Sequence, residues 1–242
     1  MNEPIILIVG TDGTTGSSGL QGIDGVNRVD DDTGQPGENG NKKCLSCQCA
    51  TNGTTGADAI AAGDRGGNGG NGGNAPFFQI TVNEFVISDS SKALHMVSQG
   101  GQGGQGGVGG IGGKGAAGGN AGTNNSSCLK DGKCSPAQGG QGGSGTDGGK
   151  GGNGGKGGSG GDITLRYVYE KCIGQVSLLS SPGQGGTPGD GGEGGAGGPG
   201  GKNEPPPGGS PSNALPGTPG INPGAGTTSN VGDWGDWNPR SF

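Results

Sequence analysis

From Gln99 to Gly122 the chain reads QGGQGGQGGVGGIGGKGAAGGNAG, and from Gln138 to Asp162 it reads QGGQGGSGTDGGKGGNGGKGGSGGD. Both stretches repeat every three residues, with two glycines in most triplets. A period of three is that of the left-handed extended helix, which has three residues per turn and no internal hydrogen bonds. Such a helix presents three rows of side chains. Two bare rows let neighbouring backbones approach closely, and their N–H and C=O groups must then pair with one another or with water. The third row, carrying Gln, Asn, Lys and Ser, is expected to face solvent. Collagen shares the period but needs one Gly per triplet and abundant Pro. Only GTDGTTGSSGLQGIDG, from Gly10 to Gly25, has that spacing, and a collagen trimer fits it weakly.

Further runs of this kind begin at Gly66 (GGNGGNGGN) and Gly183 (GQGGTPGDGGEGGAGGPGG). Between the runs lie short apolar or alternating segments that read as strands. They fall near residues 5–9, 77–85, 93–97, 163–169 and 173–179. In FFQITVNEF, Phe78, Ile80 and Val82 alternate with Gln79, Thr81 and Asn83. The fold expected is therefore of a non-globular or mixed class. It is a bundle of polyglycine II (left-handed threefold) helices on a small antiparallel β base, with essentially no α-helix. Residues 1–202 form the bundle with its strands, and residues 203–242 form a Pro/Gly-rich C-terminal extension.

Composition supports this reading. Of 242 residues, 69 are Gly and only 25% are hydrophobic, too few to fill a conventional core. The net charge of −6 argues against nucleic acid, which needs a basic stripe. No run reaches the roughly 20 apolar residues of a membrane helix, so no membrane insertion is expected. The N-terminal MNEPIILIVG has an acidic start and a short apolar run, unlike a secretory signal. An extracellular or surface location would then need another export route or a signal already removed.

The order of elements is itself a repeat. A strand leads into a glycine excursion, a Cys-bearing loop follows, and a second glycine run returns to a strand. The first excursion carries CLSCQC and the second CLKDGKC. A run such as 99–122 spans roughly 70 Å at about 3.1 Å per residue, so the expected object is a rod with disulfide-capped tips. The third excursion, from Gly183, finds no returning strand in this reading. Its open backbone motivates association with further copies. Trp234 and Trp237 in the tail, and Val108 and Ile111 where the outward row turns apolar, are the candidate assembly contacts.

Six cysteines in a core-poor chain, Cys44, Cys47, Cys49, Cys128, Cys134 and Cys172, point to disulfides. They allow 15 pairings. Cys128 with Cys134 is the most local, and Cys172 is a candidate partner for one of the first three. Zinc is the competing reading, from the C-x₂-C pair of CLSC, but the second half is C-x₅-C and the one His lies elsewhere. That residue, His95, sits in the apolar ALHMV and reads as structural. Asp30, Asp31 and Asp32 read as a solvated turn, and GGSGTD at 142–147 is an unrepeated calcium-roll beginning. Asn52 and Asn125 fit the glycosylation sequon. No catalytic constellation, cofactor site or metal site is expected, and the chain is not read as an enzyme.

The GGX runs with Cys resemble the polyglycine-helix antifreeze proteins of springtails, a likeness that implies ice binding through a flat face. They also resemble the glycine-rich tip adhesins of phage tail fibres. That likeness implies loops presented to a cell-surface receptor or glycan, although here the loops are rich in Cys rather than aromatics. The alternation of GGX runs with strands is similar to large collagen-like bacterial and fungal proteins, which implies a structural surface role. The expected function is an extracellular structural protein, a self-assembling fibre or filament subunit partnered by its own copies. The alternatives are a receptor-binding tip adhesin and an ice-binding protein.

Overall fold

The computed structural model describes residues 6–9, 33–44, 46–87, 93–172, 175–227, 230, 232–233 and 237–241. Glycine rows set the architecture. Six extended passages are found among the described residues, here numbered I (33–40), II (50–76), III (100–124), IV (137–162), V (182–204) and VI (212–233, in part).

One rule connects them. Each passage donates the N–H groups of one row to the passage before it, and those of a second row to the passage two after it. In passage III, Gly101, Gly104 and Gly107 donate to Gly73, Gly70 and Gly67 of II at 2.7–2.8 Å. Gly103, Gly106 and Gly109 donate to Gln184, Thr187 and Asp190 of V at 2.8–2.9 Å. The remaining row, Gln102, Gln105, Val108, Ile111 and Lys114, is exposed. This is the three-residue repeat expected of polyglycine II, with both bare rows used for backbone pairing.

Two layers follow from this rule. Passages I, III and V run in one direction in one layer, and II, IV and VI run in the opposite direction in the other. At most paired positions the fit leaves no room for a side chain. A Cβ on Gly149 would be driven into the carbonyl oxygen of Asp64, and one on Gly192 into that of Gly110.

The repeat is broken once, with a visible reason. Passage II pairs Ala59 with Ser144 and then Gly63 with Asp147, so four residues of II stand against three of IV. The extra residue opens space beside Ala61. Thr146 fills it, in a row otherwise held by glycine. Its Oγ1 donates to the Ala61 carbonyl at 2.6 Å and accepts from Gly113 N–H at 2.8 Å. The GGSGTD stretch, where the GGX pattern lapses, is the sequence trace of this insertion.

At one end the passages continue into strands. β1 (Ile6–Val9), β5 (Ala93–Gln99) and β7 (Gln175–Ser181) form one sheet in the order β1-β5-β7. β4 (Phe78–Ile87), β6 (Ile163–Cys172) and β8 (Trp237–Ser241) form a second in the order β4-β6-β8. Every pair in both sheets is parallel, not antiparallel as expected from the sequence. Strands consecutive in sequence lie in opposite layers. Strands within one sheet extend passages of one layer, and those run the same way. Between the sheets Met96, Ser98, Ile163, Leu165 and Ser180 are buried, and Ser98 Oγ accepts from Gly161 N–H at 3.1 Å. His95, on the other side of β5, is half-buried, and its Nε2 has no hydrogen-bond partner.

The described residues of 203–242 do not stand apart as an extension. Passage VI packs on V, with Gly217 and Gly220 donating to Gly198 and Gly195 at 2.9 and 2.8 Å. It also accepts from IV, where Gly145 and Gly148 donate to Thr218 and Ile221. β8 then completes the second sheet, with Trp237 in register with Ile163. The third excursion therefore returns to a strand, and passage V is covered. Trp234 lies outside the described residues.

Gly149→Ala is expected to destabilise the fold by about 1–3 kcal/mol or more through overpacking. Lys150→Ala on the adjacent outward row should stay within about 0.5 kcal/mol of wild type. Thermal unfolding followed by circular dichroism checks both.

Candidate functional site: the disulfide-tied cap

The other end of the slab gathers three connections. β2 (Asn41–Lys43) and β3 (Ser46–Gln48) form an antiparallel hairpin between passages I and II. α1 (Ser126–Lys130) lies between III and IV. Residues 205–211 (PPPGGSP) turn between V and VI, with Gly208 at φ 73°.

α1 is short because its signals are close together. Asn125 caps its N-terminus, its Oδ1 accepting from Ser127 N–H at 3.1 Å. Gly132, at φ 69°, ends it in the left-handed conformation that glycine tolerates without strain.

Disulfides join Cys47 to Cys128, with Cα atoms 5.9 Å apart, and Cys49 to Cys134, with Cα atoms 5.5 Å apart. The local Cys128–Cys134 pairing expected from sequence is not formed. Cys47 and Cys49 are two residues apart on extended chain, so their side chains share one face. That face meets the neighbouring loop, because the layer arrangement brings the I–II and III–IV turns side by side. The i, i+2 spacing of CQC was the available signal. The two excursions thus share one cap rather than forming separate tips. Cys44 is free and exposed.

A buried polar hub ties in the third connection. Glu204, 7% exposed, accepts from Asn124 N–H at 2.6 Å, Asn124 Nδ2 at 2.6 Å and Ala137 N–H at 2.9 Å. Asn124 Oδ1 in turn accepts from Ala50 N–H at 2.8 Å. Four of the six passages are thereby fastened at one point. Three hydrogen bonds compensate the desolvated carboxylate. Nothing in the sequence around Glu204 singled it out, since its partners arrive from 67 and 80 residues away.

The outer rows have their own chemistry. At several positions the N–H of an outward residue is accepted by an Asn, Asp or Thr side chain on the adjacent passage. Asn68, Asn71 and Asn74 of II accept from Asn153, Lys156 and Ser159 N–H of IV at 2.8–3.0 Å. Asn120 accepts from Lys202 N–H at 2.9 Å. Asn52, a sequon residue, plays this part for Gln138 at 2.8 Å, while Asn125 is the α1 cap. Val108 and Ile111 are 45% and 46% exposed on the outer row of III. They neighbour Asp190 and Glu193 on V.

Among the described residues no group of three or more His, Cys, Asp or Glu side chains is placed to hold a metal. No helix is long and apolar enough to cross a membrane. Two disulfides suit an oxidising environment of the extracellular kind.

The disulfides close chain segments of 81 and 85 residues, but they do so redundantly. With either one in place, the other closes only a short loop. In the chain-entropy picture, removing one bridge should cost about 2–3 kcal/mol and removing both about 7 kcal/mol. Urea unfolding of the Cys49→Ser/Cys134→Ser variant and of the quadruple Cys→Ser variant checks this departure from additivity.

No family model and no curated protein matches the chain. One solved structure is similar to it, a nine polyproline type II helical bundle springtail antifreeze protein from Granisotoma rainieri, whose crystal waters match the ice lattice. It is 22% identical over 78% of this chain and 97% of that chain, with a TM-score of 0.12.

Proposed function

We propose that the protein is an extracellular structural protein that serves as a stiff display scaffold. In this reading it holds a cross-linked cap of loops away from its β end for contact with a cell-surface receptor or glycan. The observation that carries the reading is the division of the ends. All three described cap connections meet at one end, two of them joined by disulfides and the third by Glu204. Cross-links of this kind hold loops in one arrangement before a partner arrives, which lowers the entropic cost of binding.

The β end has a different character. Val168, Tyr169 and Val86 are 61%, 55% and 45% exposed there. Tyr169 and Val86 share one face of the β4–β6 pair, and apolar side chains grouped in this way suit attachment. In the scaffold reading, that end joins the particle or surface on which the protein is mounted.

Replacing residues 129–131 and 205–207 by Ser-rich segments of equal length is expected to abolish binding of the labelled protein to its target cells. The midpoint of thermal unfolding should be nearly unchanged. Undiminished binding with an intact fold overturns the display reading.

A second reading, the self-assembling fibre subunit, is supported by the ten-residue β4, which stands at the edge of its sheet. Long sheet edges recruit further strands. Addition beside passage VI is disfavoured, because the row that would donate to a next passage carries Pro216 and Pro219, which have no N–H. The fibre reading expects light-scattering mass to rise with concentration under oxidising conditions, and filaments in negative stain. A mass that stays monomeric throughout rejects it.

A further inference from the structure

The cap is basic on an acidic protein. Its two disulfide-joined loops, 41–49 and 125–136, carry Lys42, Lys43, Lys130 and Lys133 against a single acid, Asp131, while the whole chain has net charge −6. All four lysines are exposed, and none is in an ion pair among the described residues. The disulfides concentrate them. Lys42 pairs across the hairpin with Cys47, which is bonded to Cys128, two residues before Lys130. The carbonyl of Lys133 lies 3.6 Å from Cys49 Sγ. Glu204, at the end of passage V, is buried and engaged by Asn124 and Ala137. We propose that this lysine cluster is a binding surface for an anionic polysaccharide, one bearing carboxylate or sulfate groups. The proposal rests on the display reading and names the partner of its cap.

Charge placement favours this partner over other polyanions. Fields focus where like charges gather on a small surface, and four unneutralised ammonium groups attract a counter-charge from outside. The slab itself exposes Asp58, Asp64, Asp147, Asp190 and Glu193 interspersed with Arg65, Lys114, Lys150 and Lys156. A nucleic acid lying along it would find mixed charge instead of the basic stripe it needs. A chain of charged sugars met end-on at the cap avoids that face.

A lipid surface fits less well. Membrane association through a basic patch is strengthened by apolar side chains that enter the acyl boundary. No large hydrophobic residue is exposed among the described residues of 41–49, 125–136 and 205–211. The lysines are rimmed instead by exposed Asn41, Ser46, Gln48 and Ser126, which can hydrogen-bond sugar hydroxyls. Lysine suits such a ligand because its ammonium is a compact point charge that does not demand one planar geometry.

The test uses the full, oxidised chain on immobilised polygalacturonate, dextran sulfate and neutral dextran, with phosphatidylserine vesicles and duplex DNA as further arms. Retention on the anionic polysaccharides, reversed by salt and absent on neutral dextran, is expected. The variant with Lys42, Lys43, Lys130 and Lys133 all changed to Gln should bind roughly tenfold more weakly or worse, because each exposed pair adds a modest increment. Changing Lys114, Lys150, Lys156 and Lys171 to Gln removes equal charge from the slab and the β end and should leave retention unaltered. An unchanged unfolding midpoint confirms that both variants fold.

Equal loss in the two variants, no retention on either anionic polysaccharide, or tighter binding to vesicles or DNA each overturns the proposal. If the cap-loop exchange abolishes cell binding but the cap lysine variant does not, the polysaccharide is the wrong partner and the display reading stands. If neither affects cell binding, the display reading itself fails.

Discussion

Backbone hydrogen bonding between extended passages is the constraint on which everything else in this protein depends. An extended threefold chain satisfies none of its own N–H or C=O groups, so each passage is stable only beside others. The geometry leaves space for hydrogen but not for Cβ along the paired rows, as Gly149 against Asp64 and Gly192 against Gly110 illustrate. Glycine is therefore favoured there, although ordering it is entropically expensive. Cross-links and sheets at the two ends offset that cost. Among its described residues the slab buries few apolar side chains, such as Ala75 and Ala116. The buried hydrophobic side chains belong mainly to the cap, as with Cys128 and Cys134, or to the base, as with Met96, Ile163 and Leu165.

The pairing rule also explains how glycine is distributed among the passages. Passage III touches I, II, IV and V, and it carries two glycines in nearly every triplet. Among the described residues, passages I and VI each touch two others, and one glycine per triplet suffices: Gly34, Gly37 and Gly40 in I, Gly217 and Gly220 in VI. Glycine density thus reports position in the bundle. This is why passage VI was hidden in the sequence. Its GTPGINPG has the spacing of an edge passage but looks like a proline-rich tail. The prolines are compatible with that place, since Pro216 and Pro219 occupy a row with no neighbour to donate to.

The period of three, the half-burial of alternate residues in FFQITV, and the presence of disulfides were legible because each depends on local sterics or on composition. Sheet direction, disulfide partners and the Glu204 hub were not, because each depends on which passage lies two places away in the chain. Antiparallel strands were expected, but sequence neighbours lie in opposite layers, and the strands that share a sheet extend passages running the same way. The local Cys128–Cys134 pairing failed for the same reason: the nearest cysteine in space belongs to a loop reached only through the bundle. Asn68, Asn71 and Asn74 read simply as solvent-facing side chains. Their service to the N–H groups of passage IV could be recognised only once passages II and IV were known to be adjacent.

This arrangement separates what must be fixed from what is free to differ. The paired rows are fixed by backbone approach, and substitution there strains the whole layer. The outward rows already mix Gln, Val, Ile, Lys, Asp and Ser without disturbing the bonds beneath them. The cap connections are freer still, because their anchorage comes from two disulfides and one carboxylate rather than from the residues between. Lys130, Asp131 and Lys133 lie within a segment whose ends are held at Cys128 and Cys134. Their side chains can therefore be chosen by what they meet outside the molecule. Clustered positive charge in such a segment contributes nothing to the slab and opposes its own neighbours electrostatically. Its placement at the one end that is covalently held in shape is the feature of this protein most directly explained by a partner.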